Sequence, residues 1–127
     1  MLNTYEGGCH CGRVRFRILV DLAETVIGEC NCSICTKKGI LHLPVLHERL
    51  EILSGAGEMT TYTFGTGVAK HTFCRHCGIH AFYVPRSDPD KISVNARCLE
   101  GIDPAALKPT SFFDGRNWEE AQAARQK

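Results

Sequence analysis

At 127 residues the chain has the length of one ordinary domain and is too short for two comfortable cores, so residues 1–127 read as a single unit. Its 15 Lys and Arg against 14 Asp and Glu leave a formal charge of +1, which provides no global field to hold a nucleic acid or an acidic membrane face; the six histidines add charge only at mildly acidic pH. No apolar run approaches the roughly 20 residues of a spanning helix, and MLNTYEGGCHC lacks the basic and apolar regions of a secretory signal, so the expected location is cytoplasmic.

The first predicted element is GRVRFRI, where Arg13, Arg15 and Arg17 alternate with Val14, Phe16 and Ile18. That two-residue period describes a strand with one wet and one dry face. Further β-like runs follow at ILHLPVL (40–46), ERLEILSG (48–55), EMTTYTF (58–64), VAKHTF (68–73), IHAFYV (79–84) and KISVNARCL (91–99), each short and set off by turn residues. Asp114-Gly115 reads as a turn. Helix signals are confined to the tail, where Asn117 as N-cap and Glu120 three residues on open a short helix through Ala124. The expected architecture is mostly β and antiparallel, with a short C-terminal helix.

Eight cysteines in a chain of this size exceed ordinary usage, and in a reducing compartment they point to metal ligation or redox chemistry rather than to disulfides. Seven of them fall into three tight groups: Cys9-x-Cys11, Cys30-x-Cys32-x-x-Cys35 and Cys74-x-x-Cys77. Zinc prefers soft thiolates in tetrahedral array, and such short spacings let one turn of backbone present two sulfurs to the same ion. Gly12 and Gly78 follow the first and third groups and permit the positive φ that such knuckles often need. Seven ligands divide into four and three, a closed site being structural and a three-ligand site leaving a position for water or substrate. Spacing alone does not say which groups share an ion. The simplest division joins Cys9 and Cys11 with Cys74 and Cys77, across 63 residues whose closure costs roughly 3–4 kcal/mol in an unfolded chain. It leaves the triplet to hold its own metal.

With GGCHCGRVRF, ECNCSIC, TFCRHCG, VNARCL and FFDGRNW quoted together, nearly the whole chain resembles the glutathione-dependent formaldehyde-activating (GFA) enzymes and their centromere protein V relatives. The resemblance implies a zinc-bearing β-tent with two zinc ions per chain. It assigns Cys9, Cys11, Cys74 and Cys77 to a structural zinc and Cys30, Cys32 and Cys35 to a catalytic one. It further implies a carbon–sulfur lyase whose named reaction joins glutathione and formaldehyde as S-hydroxymethylglutathione.

Chemistry agrees with that implication. Zinc with three thiolates carries a single net negative charge, so its Lewis acidity is damped and thiolate exchange suits it better than water activation. A substrate thiol would lose its proton on binding, and an adjacent carbonyl carbon could accept or release that sulfur. Lys37 and Lys38 could meet the carboxylates of a thiol such as glutathione, although solvated lysines are the commoner case; the arginine stripe has the same two readings. A fourth ligand from Cys98, His42, His71, His76 or His80 would instead close the triplet site. Cys98 reads as a small buried residue on a strand, and His76 should point away from its flanking cysteines. Phe112, Phe113 and Trp118 read as a seal over the core beneath the terminal helix. Two other functions compete: a non-catalytic zinc module binding a macromolecule, and a redox pair at Cys74 and Cys77. The second predicts a helix after CxxC where a strand is expected.

Overall fold

The computed structural model describes residues 1–125. The arginine alternation forms strand β2 (Arg15–Val20), flanked by β1 (Asn3–Gly8) and β5 (Leu50–Ser54) in an antiparallel three-stranded sheet. Phe16 and Ile18 are fully buried on its dry face. On the wet face Arg15 pairs with Glu100, and Arg17 with Glu6 at 3.2 Å and Glu51 at 3.5 Å. Carboxylates from neighbouring strands and from Glu100 therefore occupy these two guanidinium groups, while Arg13 precedes the strand. Strand β1 was not expected, because its two glycines weaken strand propensity. The structure gives Gly7 a reason: a Cβ there would run into the Cys98 carbonyl, where Gly7 bridges Leu99.

The second sheet has the order β10 (Ser111–Phe113), β3 (Gly28–Cys30), β4 (His42–Leu46), β9 (Lys91–Asn95) and β8 (Phe82–Tyr83). Its pairings are antiparallel except for β10 beside β3, which run parallel with Phe113 opposite Cys30. Strand β3 touches β4 only at Gly28 opposite His42, so Pro44 lies beyond that ladder, where a missing N–H is tolerated. Strands β6 (Met59–Tyr62) and β7 (His71–Cys74) form a separate antiparallel pair. One apolar cluster joins all three sheets through Phe16, Ile18, Leu43, Val94 and Cys74, with the rings of Phe16 and Phe82 edge to face at 5.8 Å. Each fully buried side chain of this kind contributes roughly 1.5–3 kcal/mol.

Four expectations are corrected. Helix is not confined to the tail: α1 (Ser33–Lys38) follows directly on the second cysteine of the triplet. Its N-cap is Cys32, whose sulfur accepts from the Cys35 N–H at 3.4 Å, and it ends at Gly39 with φ of 66°. A sulfur in place of the usual Ser or Asp hid the start signal. The strand expected over 91–99 stops at Asn95, and Cys98 lies half-buried in a 3₁₀ turn. The terminal helix α2 (Trp118–Arg125) is entered through a 3₁₀ turn at Gly115–Asn117, and Asn117, expected as its N-cap, instead donates from Nδ2 to Asp114 Oδ2 at 2.9 Å. Helix α2 buries no residue, and Phe112 is 63% exposed, so the Phe112, Phe113 and Trp118 group does not seal the core. No described helix is long and apolar enough to cross a membrane.

Candidate metal centres and the cavity beside them

Two hairpin knuckles gather the first sulfur cluster. The turn after β1 closes with Cys9 N–H on the Val14 carbonyl at 3.0 Å and Gly12 at φ 84°; the turn after β7 closes with Gly78 N–H on the Cys74 carbonyl at 2.8 Å and Gly78 at φ 80°. Both glycines thus adopt the left-handed conformation expected of them. The sulfurs of Cys9, Cys11, Cys74 and Cys77 lie within 4.8 Å of one another, with 3.6 Å between Cys9 and Cys11 and 3.7 Å between Cys11 and Cys74. Four sulfurs bonded to zinc at ~2.3 Å would be separated by ~3.8 Å, the edge of the tetrahedron.

Amides in the turns support negative charge on these atoms: Val14 N–H donates to Cys9 Sγ at 3.3 Å, and His76 N–H to Cys74 Sγ at 3.4 Å. The Arg13 backbone holds the Cys11 thiol below its ordinary pKa. Burial works against ionising Cys77, yet N–H groups of Cys11 and Ile79 together with hydrogen bonds from the Cys74 and Cys9 thiols outweigh it and bring it down to about 6.

The second cluster is built from the end of β3 and the start of α1. Cys30, Cys32 and Cys35 also lie within 4.8 Å of one another, and no His, Cys, Asp or Glu among the described residues joins them as a fourth donor at that spacing. Cys32 N–H donates to Cys30 Sγ at 3.5 Å. Hydrogen bonds from the Cys30 and Cys35 thiols, reinforced by backbone N–H groups, pull Cys32 down to about 2. The same contacts, together with burial, push Cys35 well above the usual thiol range. Three adjacent sulfurs cannot all be anionic unaided, and a soft divalent cation among them removes the conflict. Both donor sets suit such an ion, zinc included.

The triplet faces a cavity of about 920 Å³, walled by Phe64, Tyr83, Phe112, Phe113 and Trp118. The aromatic residues expected in the core therefore line this space. Deep beside the triplet, His42 Nδ1 is 2.9 Å from Ser93 Oγ and 3.4 Å from the Tyr83 hydroxyl. Tyr83 stacks on His71 at 4.9 Å, which in turn stacks on Phe64 at 5.4 Å. Burial lowers His42 and His71 and holds His80 to about 3, so all three are neutral near pH 7. Burial, followed by the nearby thiolates, raises the Tyr83 hydroxyl and keeps it protonated. Buried His42 Nε2, His71 Nδ1 and His80 Nε2 have no hydrogen-bond partner among the described residues.

Other sequence candidates stand apart. His76 turns away to Glu58 at 2.6 Å. Cys98 joins neither cluster; its sulfur lies 3.7 Å from the His80 carbonyl, and burial raises its thiol to about 11. Lys37 is exposed, and Lys38 Nζ reaches His80 Nδ1 at 3.1 Å.

Sequence reasoning missed the second wall of the triplet. The 114–117 loop is clipped onto Asn31, which lies between Cys30 and Cys32. Asn31 Nδ2 donates to Asp114 Oδ1 at 2.8 Å, while its Oδ1 accepts from Arg116 N–H at 3.0 Å and its carbonyl from Arg116 Nε at 2.9 Å. Gly115 packs directly on Cys30 and Cys32: a Cβ there would lie 2.6 Å from Cys30 Sγ and 2.8 Å from Cys32 Cβ. An Asp-Gly pair signals a turn, but nothing local shows that the turn rests on cysteines more than 80 residues away.

Known proteins share the family and fold of this chain. The model of the glutathione-dependent formaldehyde-activating enzyme family matches residues 4–116, which include every clustered cysteine and Asn31, Asp114, Gly115 and Arg116. A crystal structure of a Rhodobacter sphaeroides protein is similar at 37% identity, covering 84% of this chain and 98% of that one, with a TM-score of 0.74. The chain belongs to the glutathione-dependent formaldehyde-activating enzyme family.

Proposed function

We propose that this chain is a zinc-dependent carbon–sulfur lyase that makes or breaks the adduct of a small thiol with an aldehyde, as in the formation of S-hydroxymethylglutathione from glutathione and formaldehyde. In this reading Cys9, Cys11, Cys74 and Cys77 hold a structural zinc, Cys30, Cys32 and Cys35 hold the catalytic one, and residues 1–127 act as one cytoplasmic unit. The observation that carries it is a three-sulfur donor set, with no fourth donor at ligating spacing among the described residues, on the wall of a large cavity.

When bound there, zinc would supply the positive charge that turns an incoming thiol into a thiolate at neutral pH. In the forward direction a sulfur–carbon bond forms, the carbonyl π bond is spent, and the thiol proton ends on the new hydroxyl. His42, kept neutral by burial, has a proton-accepting nitrogen and stands beside the protonated Tyr83 hydroxyl, so this pair can take the thiol proton and return one to the carbonyl oxygen. The aromatic walls exclude water from an adduct that forms and breaks easily.

The test is a sulfur count at the metal by X-ray absorption on zinc-loaded protein. One four-sulfur and one three-sulfur ion average about 3.5 sulfurs per zinc, rising to about 4 with glutathione. A count of 4 without glutathione would make the triplet a closed structural site and favour an interaction module. One zinc per chain would remove the catalytic centre.

A further inference from the structure

We propose that Arg116 docks a carboxylate of the thiol substrate and that Asn31 is the residue that positions it; this rests on the function proposed above. Three arginines line the cavity: Arg86, Arg116 and Arg125. Arg86 is stacked 3.5 Å over the Trp118 ring and paired with Glu119 at 2.9 Å, and Arg125 is paired with Asp88 at 2.9 Å. Arg116 alone of the three makes no ion pair among the described residues.

Its placement is defined nonetheless. The Arg116 backbone N–H is held by Asn31 Oδ1 and its Nε by the Asn31 carbonyl, so both bonds run to the residue between Cys30 and Cys32. The guanidinium is therefore anchored at one edge and keeps its two terminal nitrogens for a ligand, at a fixed offset from the triplet. A rigid guanidinium fork matches a carboxylate bidentately, and preorganisation lowers the ordering cost of binding.

The surrounding charges leave that role open. Among the carboxylates of the same cavity, Asp88 is taken by Arg125, Asp114 is engaged by Asn31 and Asn117, and Glu29 makes no ion pair among the described residues. A three-thiolate zinc carries net negative charge and would repel an anionic substrate, so an unpaired cation beside it supplies the missing attraction. The lysines next in sequence to the triplet do not fill this place, since Lys38 turns to His80 and neither lysine lines the cavity.

The test uses zinc-loaded full-length chain and calorimetric binding of two small thiols, 3-mercaptopropionate and 2-mercaptoethanol, which differ in bearing a carboxylate. The wild type should bind the carboxylate-bearing thiol about tenfold tighter, the size of one charge-assisted contact at a partly exposed site, and the ratio should shrink as salt is raised. Arg116→Ala should collapse the ratio to about one. Arg116→Lys, which retains charge but loses the fork and the Nε anchor, should keep an intermediate ratio. Equal binding of the two thiols by the wild type, or a ratio that survives Arg116→Ala, overturns the assignment while leaving the proposed function standing. Binding of neither thiol, nor of glutathione, overturns the function as well.

Discussion

Replacing Gly115 by alanine tests the contact between the terminal loop and the triplet without removing any ligand. The added Cβ would sit 2.6 Å from Cys30 Sγ and 2.8 Å from Cys32 Cβ, about 1 Å inside ordinary contact. Zinc–sulfur bonds tolerate departures of only ~0.2 Å, so Cys30 cannot yield that distance and remain a good ligand. The alternative is for the 114–117 loop to lift, which stretches the Asn31 bonds to Asp114 and Arg116. Overpacking of this kind costs roughly 1–3 kcal/mol, or about 5- to 150-fold in affinity if it falls on the triplet metal. The assay is competitive zinc titration against a chromophoric chelator, which resolves the two sites, together with native mass spectrometry. Gly115→Ala should weaken one zinc by that factor and leave unchanged the other, which we propose is held by Cys9, Cys11, Cys74 and Cys77. Two zinc ions of wild-type affinity and an unaltered melting temperature would refute the close packing on which this reasoning rests.

Removal of ligands should separate the two clusters. Cys32→Ser is expected to lose one zinc and stay folded, because the triplet lies within one short segment and α1 buries only Cys35, whereas Cys74→Ser opens the clip across 63 residues and forfeits roughly 3–4 kcal/mol of a typical 5–15. Urea unfolding with metal counts checks both, and a well-behaved Cys74→Ser chain would count against the structural role. Acid sensitivity follows from His80, which burial holds to about 3 against an ordinary 6.5. Because the folded state refuses a proton that the unfolded chain accepts, stability is full above pH 6.5 and declines as pH falls towards 3, by up to ~1.4 kcal/mol per pH unit. His80→Gln should flatten that decline between pH 6.5 and 5 in urea titrations at constant zinc content, and an unchanged slope would show that His80 titrates freely when folded.

The cysteine groups were legible in the sequence because ligand sets presented by one turn are local: two sulfurs one to three residues apart need only a short loop and a permissive glycine. Strand β2 was legible for a similar reason, since the alternation of Arg15 and Arg17 with Phe16 and Ile18 is a property of neighbours. What remained hidden depends on contacts across long separations. Helix α1 begins on a sulfur, so its start resembles part of a metal motif rather than a cap. Phe112 and Trp118 have a core composition, yet they wall a cavity because β10 pairs in parallel with β3 and carries them past the triplet.

The sequence by itself determined the number and grouping of the sulfurs, the alternating strands and the family, because each is written in short-range spacing. Only the tertiary structure decided that Gly115 backs Cys30, that Asn31 holds Arg116 beside the triplet, and that His42 and Tyr83 meet there. Those contacts join residues 41 to 85 positions apart, and the packing of the folded sheets, rather than any local preference, brings them together.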